Sequence, residues 1–121
     1  AAPSSFWYLD HLNTNWTTMY DFDPVAGLGD DEAHLVLGGE GCMWGETVDP
    51  SDLEATVWPR LAAIAERLWS PSHVTYDNTT EARILAFRCL LLARGIGAGL
   101  VNGTARAPPP GPGSCTQLGT A

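Results

Sequence analysis

Hydrophobic residues fall in short clusters separated by polar stretches, and the spacing differs from cluster to cluster. Phe6-Trp7-Tyr8-Leu9 is a brief aromatic run of the kind that predicts a strand. A polar, loop-like stretch follows from His11 to about Asp31. Leu35-Val36-Leu37-Gly38-Gly39 opens a second predicted strand, which continues to Trp44. Its near-continuous apolar start is what a parallel strand buried on both faces looks like. Gly38 and Gly39 would allow another chain segment to approach closely.

The spacing then turns helical. Ser51-Asp52-Leu53-Glu54 has the form of a capping box opening a helical turn. Pro59 suits the first turn of a main helix running to about Trp69, where Ser70-Pro71 stops it. Val57, Leu61, Ile64, Ala65 and Leu68 lie on one stripe of it. A second helix opens at Asn78, with Glu81 in capping-box position, runs to Arg94 and ends at Gly95. Its most apolar part, Ile84 to Leu92, is interrupted by Arg88. Beyond Asn102, Ala107-Pro108-Pro109-Pro110-Gly111-Pro112-Gly113 predicts a low-complexity, extended tail.

The order strand, loop, strand, helix, helix, tail does not close a sheet by itself. Two strands of the buried type need neighbours. A (β/α)8 barrel takes about 250 residues, so at most roughly its last quarter fits here. The chain begins Ala-Ala-Pro-Ser-Ser, without Met or a signal-peptide pattern, which reads as an internal start.

Composition narrows the function classes. The 121 residues allow one domain, and 45% hydrophobic with 17% charged residues is ordinary for a globular chain. The net charge is -8, with six arginines and no lysine. Such a chain repels phosphate backbones and anionic membrane surfaces, so nucleic acid is not expected as a partner. No apolar run approaches the roughly 18 residues of a membrane span. The sequence pI of about 4.5 suits an acidic compartment. Three Asn-x-Thr sequons, at Asn15, Asn78 and Asn102, favour a secretory route. In an oxidising compartment the three cysteines, Cys42, Cys89 and Cys115, suggest one disulfide and one free thiol.

Candidate chemistry concentrates in Gly38-Gly39-Glu40-Gly41-Cys42-Met43-Trp44-Gly45-Glu46. If extended, it puts Glu40, Cys42, Trp44 and Glu46 on one face. An indole beside a carboxylate is a natural sugar clamp: the ring covers the C–H face of a pyranose, and the carboxylate accepts charge-assisted bonds from its hydroxyls. Tyr8 and Asp10 likewise share a face at a strand's C-terminal end, where barrel active sites lie. Either pair alone reads first as a structural feature, a core aromatic beside a surface acid. His11, His34 and His73 have no metal-ligand spacing and are expected at the surface, and no metal or cofactor is expected. Glu40 is expected to be a structural carboxylate paired with a basic residue. Trp58 and Trp69 are expected to pack helices.

Four blocks settle between these readings. Trp7-Tyr8-Leu9-Asp10, the Gly38 to Glu46 stretch, Trp58-Pro59-Arg60 and Ala65-Glu66-Arg67-Leu68-Trp69-Ser70 strongly resemble, in order and spacing, the eukaryotic β-hexosaminidases of glycoside hydrolase family 20. The resemblance covers about residues 6–115. It implies an α/β fold in which residues 1–107 form the C-terminal part of a TIM barrel, its last two strands and closing helices, with 108–121 a Pro/Gly-rich tail carrying a disulfide cysteine. It implies that Tyr8 holds the substrate's acetamido oxygen, Asp10 meets the 6-hydroxyl, Trp44 lines the pocket floor and Glu46 binds the 4-hydroxyl. It also implies a Cys89–Cys115 disulfide, with Cys42 a buried free thiol.

The family's mechanism is substrate-assisted: the acetamido oxygen attacks the anomeric carbon, a Glu is the general acid and a neighbouring Asp orients the acetamido group. That Asp–Glu pair lies in a His-x-Gly-Gly-Asp-Glu motif absent from these residues, as is the arginine that grips the 3- and 4-hydroxyls. Gly29-Asp30-Asp31-Glu32 imitates the motif but lacks its His and double Gly, and reads as a solvated acidic loop. The expectation is part of an exo-glycosidase acting on terminal β-linked N-acetylglucosamine or N-acetylgalactosamine, inactive on its own. Its partner would be a glycan or glycoconjugate, its place the lysosome, vacuole or extracellular space, and a homodimer of the full-length protein is a possible assembly. The rival expectation is a non-catalytic carbohydrate-binding remnant or truncated paralogue.

Overall fold

The structure is a computed structural model that describes residues 6–102 and residue 115. The described residues form five α-helices: α1 (Trp16–Asp21), α2 (Asp30–Ala33), α3 (Leu53–Val57), α4 (Arg60–Trp69) and α5 (Asn78–Ala93). Among the described residues none is long and apolar enough to cross a membrane. The tail expected over 108–121 lies outside the described residues apart from Cys115.

The stretch expected as a loop from His11 to about Asp31 instead contains α1 and the start of α2. Helix α1 forms because the Asn15 side chain caps it, accepting from the Thr18 amide at 2.9 Å. Trp16, Met19 and Tyr20, at positions i, i+3 and i+4, then bury one face. Helix α2 buries no residue, so Asp30, Asp31 and Glu32 are solvated as expected, though helical rather than looped.

Helix α4 is the centre of the fold. Ala63 joins Trp16, Tyr20, Ile84 and Val101 in one buried cluster. Ile64, one residue on, joins Trp7, Leu9 and Met19 in a second, flanked by Val57, Leu61 and Leu68. Ala65, expected on the same stripe, is exposed. Trp69 is 92% exposed and packs no helix, a correction that follows from its place in the last turn, beyond the reach of either cluster. Trp58 does pack, with its ring set edge-on against Phe87 at 6.1 Å.

Two caps differ from expectation in the residue that makes them. Before α3, the Ser51 hydroxyl turns back to Asp49 at 2.5 Å, and Asp52 stands at the N-cap without a side-chain cap bond. Glu54 instead accepts from the Gly97 amide at 2.5 Å. On α5 the cap is Asp77, not Asn78, and its box partner is Thr80, not Glu81. Asp77 accepts from the Thr79 and Thr80 hydroxyls at 2.7 and 3.0 Å and from their amides at 2.9 and 3.0 Å, and these bonds, the hydroxyls' first, hold its carboxyl down at about 2. Gly95 ends α5 with a φ of 83°, as its position predicts.

The two expected strands are not formed among the described residues. They meet in one isolated parallel bridge, Tyr8 to Cys42. The Leu9 amide donates to the Cys42 carbonyl at 2.7 Å, and the Cys42 amide to the Trp7 carbonyl at 3.0 Å. The physical reason is the one the sequence raised: a parallel ladder needs partners on both edges and cover on both faces. The stretch before the bridge is correspondingly open, with Leu37 98% exposed. Close approach occurs at Gly39, which lies under the Trp7 ring, and at Gly41, where a Cβ would stand 2.7 Å from Leu61 and 3.0 Å from Ile64. A Cβ at Gly38 would meet nothing within 4 Å, so the close approach expected there does not occur.

Candidate functional site: a loop pinned beside the parallel bridge

The bridge sets the neighbourhood of the candidate residues. Tyr8 is half-buried, and its ring stacks on His11 at 5.5 Å with an interplanar angle of 30°. The chain turns directly after it, with the His11 amide donating to the Tyr8 carbonyl at 3.3 Å. Asp10 sits inside that turn, half-buried, and its Oδ1 is buried without a hydrogen-bond partner.

Trp44 is 55% exposed. It lines a recess of about 320 Å³ with Met43, Gly45, Val48, Asp49, Pro50 and Leu53. Neither Tyr8, Asp10 nor Glu46 lines that recess. Residues 45–47 form a bend, so the alternation that would place Glu46 beside Trp44 is broken, and Glu46 is exposed. The described residues therefore bring Tyr8, Asp10 and Cys42 together, and leave Trp44 and Glu46 on open surface.

Glu40 does not pair with a base among the described residues; it is exposed and accepts from the Cys42 thiol at 3.8 Å. The preceding stretch lacks the sheet cover that would have buried it and required a counter-ion. Cys42 is free and half-buried. Burial first, and then the Glu40 charge, push its thiol above the usual value. Cys89 and Cys115 are bonded, with their Cα atoms 5.5 Å apart. Of the sequon residues, Asn15 and Asn78 are exposed, and Asn102 donates to Glu81 at 2.5 Å.

Sequence reasoning gave Arg60 no role. Its side chain is 5% exposed. Nε and Nη2 donate to the Thr56 carbonyl at 3.1 and 2.7 Å, and Nη1 to the His11 and Thr14 carbonyls at 2.9 and 3.1 Å. Nη2 also donates to the Leu9 carbonyl. Burial lowers the guanidinium to about 10, against the opposing pull of the Asp10 charge, so it remains a cation at neutral pH. Its available signal was an arginine at the start of a helix with no acid at i+3 or i+4 to hold it.

The sequence profile "Glycosyl hydrolase family 20, catalytic domain" matches residues 1–72. The chain belongs to this family. The catalytic domain of the family is of the TIM-barrel type. The chain is 50% identical over 116 residues to "Beta-hexosaminidase 1" of Arabidopsis thaliana, covering 91% of the chain and 21% of that protein. It is 48% identical over 113 residues to "Beta-hexosaminidase 3" of the same plant, with shares of 91% and 21%. It is 45% identical over 101 residues to "Beta-hexosaminidase subunit alpha" of Bos taurus, with shares of 81% and 19%. The chain thus spans about a fifth of the length of these relatives. All three names are those of glycoside hydrolases.

Proposed function

We propose that this chain is the C-terminal part of a family 20 barrel, contributing its last two strands and closing helices to an exo-β-N-acetylhexosaminidase. The observation that carries the reading is the parallel Tyr8–Cys42 bridge. It sets the Trp7-Tyr8-Leu9-Asp10 block beside the Gly38 to Glu46 block, as neighbouring barrel strands would be. Asp10 adds support, because a buried carboxylate oxygen with no partner is suited to accept a hydroxyl. The exposed Leu35 and Leu37 are what a strand looks like before its sheet neighbours cover it.

In this reading the substrate is a glycan or glycoconjugate ending in β-linked N-acetylglucosamine or N-acetylgalactosamine. Its acetamido oxygen attacks the anomeric carbon, while an acid elsewhere in the barrel protonates the leaving oxygen. Tyr8 donates to the acetamido oxygen where charge develops. Trp44 covers the apolar sugar face, Glu46 accepts from the 4-hydroxyl and Asp10 from the 6-hydroxyl. The chain would act in the secretory pathway or in a compartment it feeds.

The test is kinetic, in the full-length polypeptide, with a chromogenic N-acetylglucosaminide. Tyr8→Phe should lower kcat more than it raises KM, because that contact strengthens toward the transition state. Glu46→Gln should weaken binding by roughly 1.5–3 kcal/mol, the range for a bond to a charged group. Wild-type kinetics in both variants would rule the assignment out.

A further inference from the structure

Arg60 holds the loop on both sides of Asp10 through main-chain carbonyls, with no hydrogen bond or ion pair to the Asp10 carboxylate. Its guanidinium grips the Leu9 carbonyl just before that residue and the His11 carbonyl just after it. A third loop bond, to the Thr14 carbonyl, fixes the far end of the turn, while the Thr56 carbonyl ties the same group to the α3–α4 corner. His11 in turn carries the Tyr8 ring. A planar fork held by carbonyls in these directions permits little rotation of the loop.

The choice of acceptors matters chemically. A buried arginine beside an aspartate ordinarily takes the carboxylate as a bidentate partner, which occupies its oxygens. Here Asp10 lies close enough for its charge to act on Arg60, yet its buried Oδ1 accepts nothing. The guanidinium supplies a compensating charge and a rigid frame, and it leaves the acceptor open. Lysine could supply the charge but not the frame, since an ammonium is a point donor.

We propose that Arg60 is a positioning residue for substrate selectivity: it fixes the turn at residues 9–14 so that the unoccupied Asp10 oxygen meets the sugar's 6-position in one orientation. The proposal rests on the sugar-binding reading of Asp10 given above.

The experiment compares kcat/KM for plain and 6-sulfated N-acetylglucosaminides in the full-length polypeptide. The variants are Asp10→Asn, Arg60→Lys, Arg60→Gln and the double variant Asp10→Asn/Arg60→Lys. Because both substrates are measured on the same preparation, their ratio is independent of how much protein is folded. Asp10→Asn should relax discrimination against the sulfated sugar by removing like-charge repulsion. Arg60→Lys should move the ratio the same way by roughly two- to tenfold, and should add little in the double variant, as expected of residues acting through one another. Arg60→Gln also removes the compensating cation, which by itself strengthens the repulsion of a sulfate, so its ratio should move less than that of Arg60→Lys. Equal losses on both substrates in the Arg60 variants, beside a shifted ratio in Asp10→Asn, would reduce Arg60 to a purely structural role and overturn the proposal. No active protein from either Arg60 variant would overturn it too, since the residue would then hold the fold and not the turn alone. An unchanged ratio in Asp10→Asn would remove the Asp10 reading itself, and the proposal with it.

Discussion

Ile64 links helix α4 to the parallel bridge, and its truncation should loosen the candidate site from below. The side chain is 1% exposed, in the cluster that also holds Trp7, Leu9 and Met19. Its Cδ1 presses on the open side of Gly41, one residue before the bridging Cys42. Ile64→Ala removes Cγ1, Cγ2 and Cδ1, worth about 2.4 kcal/mol in lost transfer free energy at about 0.8 kcal/mol per buried carbon. If about 40 Å³ of the vacated space stays empty, the cavity adds about 1 kcal/mol. The expected loss is therefore about 3.4 kcal/mol. The readout is hydrogen exchange at the Leu9 and Cys42 amides, the two donors of the bridge, in the full-length polypeptide. Their exchange should accelerate by more than about a hundredfold, since each 1.4 kcal/mol is about tenfold in the opening equilibrium. Leu90→Ala, at an exposed position of α5, should leave both amides unchanged. Unchanged exchange in Ile64→Ala would mean that α4 does not support the bridge.

Three further outcomes follow from the same structure. Breaking the Cys89–Cys115 bond, at a sequence separation of 26, by Cys115→Ser should cost roughly 3–4 kcal/mol in the chain-entropy treatment; equal urea midpoints for wild type and variant under oxidising conditions would refute that. Asp77 has a depressed carboxyl in the folded state, about 2 against an ordinary 3.8, so the stability it gives α5 is complete above pH 4 and is lost as pH falls toward 2. Asp77→Ala should flatten that acid limb of a helicity titration, and an identical limb would exclude Asp77 as its cause. Cys42, with its thiol raised by burial, should react with iodoacetamide more slowly in the folded protein than after unfolding, and equal rates would contradict its half-buried position.

The helices were largely legible in the sequence because their signals are local. Apolar spacing marked α4, and Gly95 marked the end of α5. The misplaced caps at Ser51 and Asn78 reflect a real ambiguity, since neighbouring Ser, Asp, Asn and Thr residues compete for the same amides and only three-dimensional closure selects one. Helix α1 was missed although Asn15 and the Trp16, Met19, Tyr20 spacing encode it, because six residues make a weak periodic signal beside so many polar neighbours. The strand signal at residues 35–44 predicts a buried strand, but burial there depends on neighbours that these residues do not supply. The candidate site was legible as residue types, and Tyr8 and Asp10 do stand together with Cys42. The bend at residues 45–47 was not legible, because strand parity assumes an extended chain that Gly45 need not follow. Arg60 was hidden for a different reason: its hydrogen-bond partners among the described residues are main-chain carbonyls, which every sequence has.

That last feature bears on how such a fold can diverge. Arg60 and Arg67 are both buried, and the acceptors of Arg67, like those of Arg60, are main-chain carbonyls, here of Ser72 and Val74. A pin of this kind recognises the path of the backbone and not the side chain hung on it. The residues whose carbonyls are held can therefore be exchanged for others of compatible conformation without loosening the pin. The arginines cannot, since no other side chain offers the same fork. Substrate preference could then drift through changes in the turns while the frame beneath them stays fixed, and the variable and invariant positions of the lineage would interleave along the chain instead of separating into blocks.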